Sequence, residues 1–451
     1  MITQNKPTQL TQSFLARLVL EWNREKGLPS WVQAWREEGW EKLQETGFPT
    51  REQEDWKYVP LKNLFEKTFH RTEENSMSEH KAFKKFSSDF EVELVFVNGV
   101  FSPENSCGIG EENGIVVLPL SQVLPSKEKE IRVFIDGFQS RAEDAFVFLN
   151  QAFLKEGAMI FIPDKRRCEK IIHVVHVSTG SASGEGTKAS VLQCPRTIVF
   201  LGKNSEATVI ESFVSFSGET YFTNAVSDLI LETGASLQHS KIQSESHQAF
   251  HIGATRALLG QDSQLHSFSF SVGGKISRNN LFVALHGEGA SVSLDGLYAG
   301  KGEQFMDNHT HVDHCKPKGF SRQLYKGVLN DKARAVFNGK IIVHPGAQQT
   351  DSSQINKNLL LSRQTHVDTK PELQISADDV QCKHGATIGQ MNEDEIFYFQ
   401  SRSIPRKKAI HMLIHGFVDD VLLRIKSPVL QKKLHALLLD FYSGVEGEDC
   451  L

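Results

Sequence analysis

The chain has 451 residues, 39 % of them apolar and 23 % charged, with a formal net charge of −5 at pH 7. That length exceeds one simple core and sets an expectation of two or three folding units, while the composition excludes a disordered chain. With a small charge and no like-charge block, nucleic acid and an anionic membrane are excluded as expected partners; without a long apolar run, a cytoplasmic location is the expectation.

Residues 1–90 read as an N-terminal helical domain. Phe14, Leu15, Leu18, Val19 and Trp22 recur at helical spacing, and Ser30 stands where an N-cap would open the run "WVQAWREEGWEKL". In "GFPTREQEDWKYVPL", Thr50 with Gln53 fits a capping box, and Trp56 and Tyr58 have the character of anchors onto the body of the protein.

Residues 91–388 change to short β-rich runs such as "VELVFVNGVF" and "RTIVFLGKNSEATVIESFVSF", with no long helical pattern between them. A weak repeat sets a glycine-containing turn before an alternating strand. Gly202, Gly234, Gly260 and Gly287 are 32, 26 and 27 residues apart, and Gly346 follows 59 later, near two further periods. Such periods mean a solenoid, and the alternating pattern selects a parallel β-helix over helical repeats. At ~4.8 Å per coil, about ten coils would make a rod roughly 50 Å long, with open ends that the helical segments are placed to cap.

Residues 389–451 return to helix as a C-terminal domain. Asn392 with Glu395 fits an N-cap pair. Ile410, Leu413, Ile414, Phe417 and Val421 form one apolar stripe after Pro405, and Ser427 with Pro428 opens a last helix that Gly444 would end. The stripe is read as packing of a small domain or as a docking surface for a partner.

The six cysteines, Cys107, Cys168, Cys194, Cys315, Cys382 and Cys450, contain no CxxC, so neither a disulfide framework nor a zinc site is written locally. In "MDNHTHVDHC" the strand period puts Asp307, His309, His311 and Asp313 on one face. That row suits a metal, yet inward-facing ladders of such residues also tie coils together, and the ladder is the preferred reading. In "DVQCKHGATIG", Cys382 and His384 share a strand face and Gly385 offers the chain a sharp exit. A thiol beside an imidazole makes a soft half-site with a lowered cysteine pKa, but two ligands do not hold iron or a cluster firmly. Taken alone, the pair reads as a buried cysteine with a hydrogen-bonded histidine. There is no GxSxG, GxxxxGK[ST] or GxGxxG.

Taken together, "GFPTREQEDWKYVPL", "DNHTHVDHCKP", "LYKGVLNDKARAVFNGKIIVHPGAQQTDSSQINKNLLLS" and "DVQCKHGATIGQMNEDEIFYFQSR" closely resemble the SufB/SufD family of the SUF iron-sulfur cluster assembly machinery, on its SufD side. The likeness spans nearly the whole chain. It implies a mainly β fold, a right-handed parallel β-helix flanked by N-terminal and C-terminal α-helical domains. It also implies a non-catalytic scaffold that pairs with SufB and docks the SufC ATPase through residues near 390–445. His384, matching the histidine of the family's C-x-H-G-A-T motif, is then implicated in iron or cluster handling at the SufB interface. Cys382 matches the motif's cysteine. Where SufB carries a cysteine in C-G-A-H-T-F-P, this chain has "LLLSRQTHVDTKPEL", so it is not expected to hold a cluster by itself, only a transient iron or cluster within the complex. The sequence carries no signature for or against a flavin, and a homodimer of the isolated chain is compatible with the same edge. Two other functions fit such a rod: a carbohydrate-active β-helix enzyme and a purely structural adaptor.

Overall fold

A residue in the left-handed region recurs every 27 to 31 positions, at Asn204, Gly234, Asp262, Gly289, Lys318 and Gln349. Each stands just before a strand, so one period is one coil carrying two strands. This explains why the repeat is weak in the sequence: the position accepts Asn and Asp as well as Gly. Of the four closely spaced glycines expected to mark the coils, only Gly234 occupies that conformation.

The computed structural model describes residues 8–22, 28–71, 90–138, 144–179, 190–215 and 218–442. Their center is a parallel β-helix with two long faces. One stacks Gly157–Ile162, Arg196–Leu201, Phe222–Leu231, Phe250–Leu259, Ile276–Leu285, Phe305–His314, Arg334–Val343 and His366–Ile375. The other stacks Arg167–Ser178, Glu206–Ser215, Ser236–Ser244, Gln264–Ser271, Ser291–Gly300, Phe320–Leu329, Thr350–Leu360 and Val380–Gln390. Eight strands deep, the rod rises roughly 35 Å along its stack, shorter than the expected ten coils. The difference lies between residues 98 and 156. There the chain forms antiparallel strands and the helices Leu120–Val123, Glu128–Asp136 and Ala145–Ala152, which interrupt the stretch expected to be β throughout.

The in-register stacking makes columns of inward side chains. Ala207, Leu237, Leu265 and Val292 stand one above another, each 1 % exposed or less. Burying a leucine or valine side chain of this column stabilises by roughly 1.5–3 kcal/mol. The interior is not uniformly apolar. His176 lies stacked between Phe96 and Phe213, at 5.0 and 4.9 Å, with both ring nitrogens buried and without a hydrogen-bond partner. Burial pushes its pKa down to about 4, the Glu211 and Glu245 carboxylates opposing this only in part. The folded ring stays neutral while the unfolded one takes up a proton near pH 6.5, so stability is lost as pH falls from 6.5 towards 4. At pH 4.5 this group is expected to cost roughly 2–3 kcal/mol. Denaturant unfolding at pH 7 and 4.5 should show His176→Phe recovering about that much of the acid loss; an unchanged acid loss would exclude His176 as its source.

The helices flank the rod instead of capping its last coil. Phe14, Leu18, Trp40, Leu43 and Trp56 of the N-terminal segment pack on Phe222, Phe250, Ile276 and Phe305, the outer row of the first face. Ile396, Ile410, Ile414, Val418 and Val421 pack on Ile242, Phe268, Leu297 and Leu324 of the second. Ser30 is the first helical residue, with Pro29 in the cap position and no side-chain cap. Thr50 caps a turn through Glu52 N (3.3 Å), not a helix. Trp56 is buried as expected of an anchor, whereas Tyr58 is 40 % exposed. Asn392 does cap its helix, accepting from Asp394 N at 3.0 Å. Ser427 Oγ accepts from Leu430 N where the helix Pro428–Tyr442 begins; Gly444 lies outside the described residues.

Candidate functional site

Val380–Gln390 is the terminal strand of the second face and pairs with Thr350–Leu360, placing Cys382 over Ser352 and His384 over Gln354. His384 thus tops the inward column Val209, His239, Ser267, Leu294, Gln323 and Gln354, every lower member of which is buried. It is exposed because no coil among the described residues lies above it. Cys382, topping the neighboring column, is half-buried against the interior. Gly385 does not turn the chain out: the strand runs on to Gln390 and carries the pair along an open edge. The reading of Cys382 and His384 as a buried corner therefore fails for the histidine.

Beneath the pair the columns turn polar. His314 Nε2 lies 2.9 Å from Ser321 Oγ, which lies 2.7 Å from Ser352 Oγ, directly under Cys382. Gln354, under His384, donates to Gly339 O at 3.1 Å and keeps its Oε1 buried without a partner. Burial, then the Asp351 carboxylate, pushes the Cys382 thiol up. That reverses the expected lowering by an adjacent imidazole. The two donors can serve a soft cation at the rim, but the thiol is held protonated until a cation or a partner displaces its proton.

The last coil differs between its faces. On the first, His366–Ile375 carries Pro371, which takes a donor out of that edge. It is braced by Lys370, bonded to Glu54 Oε1 at 3.0 Å and to Glu372. On the second, Ile388 is 45 % exposed although it stands in an inward row over Asn358, which is 2 % exposed. An apolar residue left uncovered on an unpaired edge invites strand addition or a facing coil.

Asp307, His309, His311 and Asp313 do share one row, but it faces outward, under the N-terminal segment Glu54–Trp56. Arg278, stacked 3.7 Å from the Trp56 ring, joins Asp307 at 2.5 Å; His309 Nε2 meets the same carboxylate at 2.9 Å. His311 pairs instead with Asp313, at 3.0 Å. Burial opposes ionisation of Asp307, yet Arg278 and His309 outweigh it and hold the pKa below the usual range. A guanidinium thus occupies the place a cation would take, in a cleft of about 460 Å3 also lined by Asp144, Arg256 and Lys340. Among the described residues the trio whose ligand atoms come within 4.8 Å of one another lies elsewhere, at His415, Asp419 and His435. Sequence reading missed it because it joins two helices; the His-x3-Asp spacing of its first two members was the available signal.

The stripe read as an ATPase-docking helix lies in Arg406–Leu422, where Ile410, Ile414 and Val421 are at most 1 % exposed and Leu413 and Phe417 pack beside them. It faces the chain's own sheet. The Phe417 carbonyl accepts from Lys326 Nζ at 2.6 Å, and Arg424 meets Asp295 at 3.0 Å, securing the helix to the rod. Exposed apolar residues here are Met412 on that helix, Leu423 just past its end, and Val429 and Leu439 on the helix Pro428–Tyr442.

Residues 183–417 match the model of the SufBD core domain of the SUF system for FeS cluster assembly, and residues 22–174 match the SufBD protein N-terminal region. The iron-sulfur cluster assembly protein SufD of Escherichia coli is 32 % identical over 397 residues, covering 88 % of this chain and 90 % of that protein. An iron-sulfur cluster assembly SufBD family protein of Synechocystis is 30 % identical over 86 % of each chain. SufD of Bacillus subtilis is 24 % identical over 66 % of each. The stacked rod, its flanking helices and these matches together make the chain a member of the SufBD family of iron-sulfur cluster assembly proteins.

Proposed function

We propose that the chain is a non-catalytic scaffold subunit of a SUF assembly complex. Its open terminal coil meets a SufB-type sister subunit, and the outer side of its C-terminal helices docks a SufC-type ATPase. His384 and Cys382 supply part of a shared site through which iron or a nascent cluster passes as cargo. The observation that carries this reading is that His384 tops a buried column yet stands exposed at an uncovered coil, an arrangement only a second chain would complete. An imidazole and a thiol are too few donors to retain a cluster alone, and suit transfer better than storage. The carbohydrate reading rested on the rod alone, and the family match removes its support.

In a complex reconstituted with both partners, His384→Ala is expected to lower the rate of cluster formation by more than about tenfold, as for loss of a metal-site ligand. Thermal unfolding of the isolated chain should stay unchanged, because an exposed edge side chain contributes little to stability. Cluster formation at the parental rate by the variant complex would refute the assignment of His384.

A further inference from the structure

Three side chains outside the proposed iron site converge between the last two helices. His415 and Asp419 lie one turn apart on Arg406–Leu422, and His435 reaches them from Pro428–Tyr442. One ligand atom from each falls within 4.8 Å of the other two. The two imidazoles stack with centroids 5.8 Å apart and planes 13° from parallel. His435 Nε2 lies 3.9 Å from Asp419 Oδ1, too far for a hydrogen bond. That carboxylate oxygen is shut from water with no hydrogen-bond partner, and so is Nε2 of His411, one turn before His415 on the same stripe. Native structures rarely leave such atoms unsatisfied, and the desolvated oxygen disfavours the empty arrangement.

We propose that His415, Asp419 and His435 form a binding site for a divalent first-row cation of the zinc class, which clips the two C-terminal helices together. Two imidazoles and one carboxylate are a donor set for Zn2+, with the remaining position open to water. Ligand atoms around Zn2+ stand about 3.4 Å apart, so these must close by up to about 1.4 Å. Side chains that are 31 % and 44 % exposed at His435 and Asp419 have the rotamer freedom to do so, and the ion can enter from solvent.

Titrating the full-length chain with Co2+ and recording its visible absorption tests the site. One equivalent is expected to bind with a low-symmetry spectrum, to be displaced by Zn2+, and to raise the unfolding temperature. His435→Ala and Asp419→Asn should each weaken binding at least about tenfold, with circular dichroism unchanged. The proposal is overturned if the wild type shows no saturable uptake, if these variants bind as the wild type does, or if His309→Ala abolishes binding while they do not.

Discussion

Asp228→Ala is expected to destabilise the chain by about 3–5 kcal/mol, because it removes the carboxylate that directly pairs two buried guanidinium groups. Asp228 is wholly buried between Arg196 from the coil below and Arg256 from the coil above. Arg196 donates through Nε and Nη2 to one carboxylate oxygen, at 2.9 and 2.6 Å, and Arg256 reaches the other at 2.7 Å. The guanidiniums rest on Trp35, in the helix Ser30–Thr46, and on Phe138, just past the helix Glu128–Asp136, so the triad ties three coils to the segments covering that face. Burial first, with Arg256 adding to it, lowers the Arg196 pKa to about 10 despite Asp228. Once the carboxylate is gone, Arg196 keeps only the neutral Asn150 Oδ1, at 3.2 Å, and Arg256 only the field of Asp144. Denaturant unfolding measures the loss, and a triple replacement by apolar residues of similar volume should recover most of it. A loss under about 1 kcal/mol for Asp228→Ala would show that water or a rearranged partner reaches the arginines.

Ile414→Asp is the second large effect, expected at about 4 kcal/mol or more, since it puts an unpaired carboxylate into a sealed apolar seam. Ile414 is 1 % exposed among Val418, Val421, Leu297 and Leu324. Loss of that seam should release the C-terminal helices from the rod while the coils persist, so limited proteolysis should cut first near residues 391–405. Met412→Asp, on the outward side of the same helix at 42 % exposure, should leave stability within about 0.5 kcal/mol. If the ATPase docks there, Met412→Asp weakens its association. Equal stability loss from both substitutions would contradict the two-sided helix, and normal ATPase binding by Met412→Asp would move the docking surface elsewhere.

These two substitutions mark what a stripe of apolar residues can and cannot say. Ile410, Leu413, Ile414, Phe417 and Val421 were legible as one face of a helix, since their spacing matches the helical period. The pattern does not name what the face meets, and the nearest apolar surface is the chain's own second sheet. The outer row at Asp307 behaved likewise: its period was readable, while its direction and its Arg278 partner, 29 residues earlier, depended on which neighbor the stacking supplies. Ser30 and Thr50 show the limit of local capping rules, where a preceding proline and a short turn took the roles a helix cap would have had.

The sequence by itself determined the terminal helices, the parallel coil period and the family, because periodicity, turn residues and the C-x-H-G-A-T stretch are local and survive without contacts; it did not show the helices between residues 98 and 156. Tertiary structure alone decided that His384 is an exposed rim residue and Cys382 a thiol with a raised pKa, since both follow from standing in the last coil with buried columns below and no described coil above. It also decided that His415, Asp419 and His435 meet. The reason is the same in each case: burial and ligand convergence are properties of neighbors distant in the chain, and in a stacked rod those neighbors are set by the number of coils, which no short stretch of residues encodes.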